Sequence, residues 1–260
     1  MPAQKRRDRF HRIIHYLQAN CGASLEELAG ELGVSEMTVR RDLEDLAREN
    51  AVQLIHTGAI LPRGAGGRAP GRWSLADART FHAAEQMRIG GKAASLVNAG
   101  DTIIVDSGPA AEWLVRSLPQ GMPLTMICFS LNVLVEARRR EGSAIVLAGG
   151  SMREDTLAFE SPEAVGLIRR YRANKAFLAP AGVSERLGVT CAGSVEAEMK
   201  QAAVASSQTR ILMADADAFG RVAPAWCADL KDFDVIVTDA GVSLEYVEIA
   251  RSLGISLHVA

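Results

Sequence analysis

The sequence predicts a two-part α/β chain, a small N-terminal winged helix-turn-helix followed by a larger α/β domain built on a mainly parallel sheet. Three observations point to it. Helical periodicity with capping signals occupies residues 10–46 and gives way near residue 52 to short β-prone runs. A stretch rich in Pro and Gly then breaks all periodicity over residues 62–72. Beyond it, continuous apolar runs alternate with amphipathic segments, the pattern of parallel strands covered by helices on both faces. At 260 residues the chain has room for one small and one larger core, and the predicted divisions are 1–61, a linker at 62–78, and 79–260.

Each element has a local reason. Phe10, Ile13, Ile14 and Leu17 fall at i, i+3, i+4 and i+7, one face of a first helix. Ser24-Leu25-Glu26-Glu27 fits a capping box, in which hydroxyl and carboxylate satisfy each other's backbone N–H groups, and opens a short second helix carrying Leu28 and Leu32. Gly33-Val34 interrupts it. Ser35 stands where an N-cap belongs before a third helix that buries Val39, Leu43 and Leu46. The runs 52–56 and 59–61 around Thr57-Gly58 read as a hairpin, a wing behind the third helix. In the larger part the strand candidates are 102–106, 124–129, 144–148, 175–178, 210–214, 234–238 and 255–259. Helical segments between them include 84–97, 111–118, 131–139 and 196–207.

Composition narrows the function classes. Hydrophobic residues make up 48% and charged residues 23%, values of a folded globular chain. The net charge of −2 means that any nucleic-acid contact must come from a local patch. One candidate is the run Lys5, Arg6, Arg7, Arg9 and Arg12, which would look the same as a solvated face. Cys21, Cys128, Cys191 and Cys227 lack the spacing of a zinc site or a disulfide framework, so neither metal nor cofactor is expected. Charges stand at the start where a signal peptide needs an apolar segment. No apolar run reaches the ~18 residues of a membrane span, and the expected compartment is the cytoplasm. Gly64-Ala65-Gly66-Gly67-Arg68-Ala69 fits a dinucleotide fingerprint by letter, but Pro62 and Pro70 stand where its strand and helix should be.

The third helix carries the sharpest chemistry. Thr38, Arg40 and Arg41 lie off its apolar face and are free to meet DNA, where Arg pairs with guanine or grips phosphate. The plain alternative is a solvated face with Arg paired to Asp42 or Glu44.

Here the residues resemble a family. Val34-Ser35-Glu36-Met37-Thr38-Val39-Arg40-Arg41-Asp42-Leu43, followed by His56-Thr57-Gly58-Ala59, is similar to the DNA-reading helix and the H-G-G-A wing of the DeoR family of bacterial regulators. The resemblance implies DNA-facing roles for Ser35, Thr38, Arg40, Arg41 and His56, although His56 could equally cap the hairpin. It extends through the C-terminal part and implies a sensor domain like sugar-phosphate isomerases and coenzyme A transferases in fold. Asp106, Ser107 and Gly108, then Ser130 and Asn132, then Gly149 and Gly150, match its effector loops, with Arg153, Lys200 and Asp217 as further candidates. Physical reasoning agrees in part, because small polar residues just after apolar strands lie where open α/β sheets bind ligands. Ordinary strand-to-helix turns and a surface Lys200 would give the same letters. Four departures stand out. Thr57 replaces the first wing glycine, residues 53–55 lack the usual basic residue, Pro109-Ala110-Ala111 follows Gly108 where relatives show hydroxyls, and Ala218-Phe219 replaces a Ser-Lys pair.

The resemblance implies a repressor of carbohydrate genes that binds a double-stranded DNA operator as a homodimer or higher homo-oligomer. A small carbohydrate-type effector would release it; the departures at residues 109–111 and 218–219 point to one without a phosphate ester, the alternative being a sugar phosphate held in a shifted pose. The competing classes are a sugar isomerase or hydrolase-like enzyme with an appended helical module, and a sugar-binding protein that never touches DNA. Neither has a use for the paired arginines.

Overall fold

The computed structural model describes residues 6, 9–10, 12–14, 16–17, 20, 22–48, 51–61 and 82–260. The linker, the fingerprint-like glycines at 64–69, and Lys5, Arg7 and Cys21 lie outside them.

The described residues from 6 to 20 are helical (α1). The capping box forms as expected: Glu27 N–H donates to Ser24 Oγ at 3.2 Å, and Ser24 N–H donates to Glu27 Oε2 at 2.8 Å. It starts α2 (Leu25–Leu32), which ends at Gly33 with φ 68°, a left-handed stop that suits glycine. Helix α3 (Glu36–Arg48) follows and buries Val39, Leu43 and Leu46 against Ile13, Leu17 and Leu28. The wing hairpin is β2 (Gln53–Ile55) and β3 (Gly58–Ile60).

A third strand, β1 (Ala23–Ser24), was not expected; it pairs antiparallel with β3 and gives the order β1-β3-β2. Two residues already assigned to a helix cap leave no periodicity to read. This pairing explains the glycine in the wing. A Cβ on Gly58 would stand 1.9 Å from the carbonyl oxygen of Ala23, whereas Thr57 is exposed at the turn and tolerates a side chain.

All seven predicted strands of the larger part assemble into one sheet, ordered β15-β14-β12-β9-β4-β5-β6. They are β4 (Thr102–Val105), β5 (Leu124–Cys128), β6 (Ser143–Leu147), β9 (Ala173–Leu178), β12 (Ser207–Met213), β14 (Val235–Thr238) and β15 (Ser256–Val259), every neighbouring pair parallel. Alternate residues face opposite cores. Ile103 and Val105 join Met126, Leu114 and Val133 on one side, while Ile104 joins Ile127, Ile168 and Met199 on the other. Helices α4 (Ala83–Ala94), α5 (Pro109–Ser117) and α6 (Leu131–Arg138) cover the first face. Helices α7 (Pro162–Arg170), α8 (Ser194–Ala205) and α9 (Leu244–Ser252) cover the second.

Two antiparallel additions interrupt the parallel pattern. One is β7 (Ser151–Met152) with β8 (Phe159–Glu160); the other is the sheet β10 (Gly182–Ser184), β11 (Gly188–Cys191) and β13 (Ala225–Ala228). The strand order reverses between β4 and β9, since β5 and β6 extend one way and β12, β14 and β15 the other. Such a reversal opens a crevice at the carboxyl ends of the two strands.

The close approach at Gly58 makes a prediction. Gly58→Ala forces β1 and β3 apart and should destabilise the N-terminal module by ~1–3 kcal/mol, while Thr57→Gly should cost well under about 1 kcal/mol. Denaturant unfolding combined with hydrogen exchange over residues 22–61 measures both. Equal, negligible effects would show that the two strands do not meet this closely.

Candidate functional site

Helix α3, expected from the sequence to face DNA, is held from behind. Asp42, 2% exposed, turns inward and receives Arg9 of α1 in a forked pair, with Nη2 donating to Oδ1 at 3.0 Å and Nε bonding Oδ2. That hydrogen bond raises the Arg9 guanidinium above its ordinary value despite the opposing effect of burial. Arg6 pairs with Asp45, and Arg12 reaches Glu31 of α2, donating to its carbonyl at 2.6 Å. The basic run at the start of the chain therefore splits differently from either sequence expectation. Its described members Arg6, Arg9 and Arg12 pin helices together.

Arg40 and Arg41 are left outward. Both are exposed and have no acidic partner among the described residues, so the pairing of either with Asp42 or Glu44 does not form. Ser35 is exposed and Thr38 half-buried, their hydroxyls 3.0 Å apart, and Thr38 N–H reaches Ser35 Oγ at 3.4 Å as an N-cap. His56 is exposed at the wing turn and caps nothing among the described residues.

At the β4/β9 strand reversal several of the candidate effector residues come together. Asp106, fully buried, accepts the N–H of Ser107 at 2.7 Å through Oδ1 and that of Ala179 at 2.8 Å through Oδ2. Lys200 of α8 is 1% exposed, which removes the reading of it as a surface charge. Its Nζ donates to Asp106 Oδ2 and to the Ala179 carbonyl at 2.8 Å, and forms an ion pair with Glu196 Oε1 at 3.2 Å. Burial by itself would depress this ammonium, but Asp106 and Glu196 outweigh it and hold it above its ordinary value.

Asn132 Nδ2 donates to the carbonyl of Gly108 at 3.0 Å and ties the two loops together. Its Oδ1 and the Oγ of Ser130 are buried without a partner, an arrangement that costs about 1–3 kcal/mol per group unless something binds there. Helices α5 and α6 begin at these loops, and neither N-terminus has a side-chain cap. Gly108, at φ 108°, leads α5 with Pro109 in its first turn.

The other candidates are more dispersed. Gly149 and Gly150 join β6 to β7 and lie against the end of β8: Ser161 Oγ donates to the Gly149 carbonyl at 3.1 Å, and a Cβ on Gly150 would lie 2.4 Å from the Glu160 carbonyl oxygen. Arg153 is forked onto Asp155 at 2.6 and 3.0 Å. Asp217 pairs with His82 at 3.1 Å and Arg221 at 3.3 Å, and no bond joins it to the Asp106 cluster among the described residues. Sequence reasoning missed Glu196, one turn before Lys200 on the same helix face; the i, i+4 spacing of Glu and Lys was the available signal.

A winged helix with unpaired arginines, joined to a parallel α/β domain with a polar site at its strand reversal, defines a DNA-binding regulator with a ligand-sensing domain. The chain belongs to the DeoR family. The DeoR-like helix-turn-helix domain matches residues 9–64 and the DeoR C-terminal sensor domain residues 81–240. The deoxyribose operon repressor of Escherichia coli (strain K12) is 30% identical over 97% of this chain and 98% of its own length. The glycerol-3-phosphate regulon repressor of the same organism is 26% identical over 98% of this chain and 99% of its own. Among solved structures, ribose 5-phosphate isomerase A from Methanocaldococcus jannaschii aligns with a TM-score of 0.38 and 14% identity, covering 53% of this chain and 55% of that one.

Because Lys200 neutralises a carboxylate inside the protein, Lys200→Met should cost about 3–5 kcal/mol by leaving Asp106 charged and unpaired. A surface lysine would give within about 0.5 kcal/mol. Denaturant unfolding separates the two values, and a near-neutral result would mean that the ammonium is solvated.

Proposed function

We propose that the chain is a transcriptional repressor of carbohydrate genes that holds its operator with α3 and the wing and is released by a small effector at the Asp106 crevice. One observation carries the DNA half: Arg40 and Arg41 project from α3 without acidic partners among the described residues, while the neighbouring Asp42 is committed inward to Arg9. Ser35, Thr38 and His56 supply the remaining DNA contacts. The operator is double-stranded and contains repeated half-sites, because one small winged helix offers too few contacts for strong specificity and such modules read paired sites as dimers or larger homo-oligomers. Residues 1–61 form the DNA-binding unit, 62–78 the linker and 79–260 the sensor. The sensor has no catalytic role, and the protein works in the cytoplasm; among the described residues no helix is long and apolar enough to cross a membrane.

The effector lacks a phosphate ester: it is a free sugar, a polyol or a sugar acid. Among the described residues the two candidate cations are already used, Lys200 by Asp106, Glu196 and Ala179 and Arg153 by Asp155. Pro109, Ala110 and Ala111 bring no hydroxyl, and proline no N–H. Ser107, Gly108, Ser130 and Asn132 contact the ligand, with Ser130 Oγ and Asn132 Oδ1 bonding its hydroxyls. Gly149, Gly150, Arg153 and Asp217 border the site, and Asp106 and Lys200 position its walls.

Two measurements test the proposal. On duplexes enriched by the wild-type protein from a random library, Arg40→Ala and Arg41→Ala should each lose ~1–3 kcal/mol if they read bases, or lower the salt slope by about one unit if they hold phosphates. Wild-type affinity in both folded variants at matched salt would remove α3 from the interface. Calorimetry with each sugar or sugar acid against its phosphate ester should favour the unesterified partner. A phosphorylated member binding more than about tenfold tighter and releasing DNA would reverse the effector assignment.

A further inference from the structure

The hairpin β10–β11 connects the two functional sites. Its root is the short segment from Ala179 to Ala181 that leaves β9. The Asp106–Lys200 pair clamps the first of these residues from both sides: Asp106 Oδ2 accepts the N–H of Ala179 at 2.8 Å, and Lys200 Nζ donates to its carbonyl at 2.8 Å. Ala181 then donates to the Thr190 carbonyl at 2.9 Å, and Thr190 Oγ1 donates to the Gly182 carbonyl at 3.1 Å, so the hairpin moves with its root.

Its tip rests on the DNA-binding module. Arg186 Nε lies 3.1 Å from Glu27 Oε1, and Nη2 donates to Glu27 Oε2 and to the Gly22 carbonyl, each at 3.2 Å. Glu27 is the carboxylate of the α2 capping box, so Arg186 grips the point from which both β1 and α2 start. Leu187 covers Gly22 beside β3: a Cβ on Gly22 would sit 3.1 Å from Leu187 Cδ1 and 3.0 Å from Ile60 Cγ2.

We propose that this hairpin is the arm through which the sensor crevice and the DNA-binding module communicate, with Arg186 and Leu187 as its latch. The role deepens the function proposed above and rests on Asp106 and Lys200 forming the effector crevice. A ligand that shifts the Asp106–Lys200 pair moves the Ala179 peptide, and with it the tip that holds Gly22 and Glu27. The latch suits a switch. Its ion pair is partly exposed on both sides and adds little to stability, so it can be made and broken without unfolding either domain. Coupling between two sites is reciprocal, so DNA must perturb the crevice as much as an effector perturbs DNA binding.

Reciprocity allows a test in which DNA is the only ligand. Hydrogen exchange is measured on the full chain with and without a duplex enriched by the wild-type protein, in peptides covering residues 105–110 and 177–182. In the wild type, DNA should change exchange at Ser107 and Ala179 by about fivefold or more, the lower end of typical allosteric coupling. Arg186→Ala with Leu187→Ala should reduce that change to near one while DNA affinity stays within a few-fold, and circular dichroism verifies the fold. Arg186→Lys keeps the charge but loses the fork and should restore only part of the response. Two results overturn the arm: crevice peptides that ignore DNA in the wild type, or that respond equally in the double variant. The effector assignment is judged separately by calorimetry, and a failure of DNA recognition shows as no duplex being enriched.

Discussion

Placing an ammonium group in a protein interior costs several kcal/mol unless charge and hydrogen bonds replace the water it loses. Lys200 meets that requirement with three partners from three elements: Asp106 after β4, Ala179 after β9, and Glu196 from its own α8. Losing Asp106 in particular would leave the buried ammonium without its main counter-charge. The crevice created by the strand reversal is thus bounded by this charged cluster, and the loops from β4 and β5 meet through the Asn132 bond to Gly108. The buried oxygens of Ser130 and Asn132, without a partner among the described residues, are where a hydroxyl-bearing ligand would gain most.

The N-terminal module solves the same problem with opposite geometry. Asp42 is the buried charge, and Arg9 approaches from another helix to satisfy it. Turning Asp42 inward releases Arg40 and Arg41 outward. Three consecutive charged residues on one helix therefore divide between core and surface, and the pin to α1 fixes how α3 is presented. DNA reading depends on that presentation because base contacts tolerate little displacement.

Legibility in the sequence followed the length of the periodic signal. Seven strands were readable because each is an apolar run between turn signals, and their termini shifted by only a few residues. Strands β1, β10 and β11 were not: two or three residues carry no period, the four of β11 (Gly188–Cys191) lack the apolar run seen in β4 or β14, and the local pairing is marked by glycine close approaches such as Gly58. The position of Asp106, Ser107 and Gly108 in the loop after one strand, and of Ser130 and Asn132 after the next, was legible in the sequence. Burial of Lys200 was not, because its helix carries almost as many small residues as large ones and shows no sharp face. Likewise the basic run at the start of the chain reads as surface until Asp42 and Asp45 are seen to lie beneath it.

Charge around the crevice decides which ligands it can hold. Among the described residues Asp106, Asp155, Glu160 and Glu196 stand with Lys200 and Arg153 in this region, four carboxyl groups to two cations. Burial pushes Glu160 above its ordinary value, with Arg153 opposing the rise and Glu196 and Asp155 adding to it. A phosphate ester adds close to two further negative charges at neutral pH, and the uncapped N-termini of α5 and α6 return only ~0.3–1 kcal/mol each. Both cations would have to abandon their present carboxylates to do better, which exposes the cost of an unpaired buried charge. A neutral polyol meets no such conflict, because it can donate to Ser130 and Asn132 and accept from the free backbone N–H groups without changing the local charge. A single carboxylate of a sugar acid is the intermediate case, and lowering the pH through the raised Glu160 value should favour it, since protonating Glu160 removes one of the opposing charges.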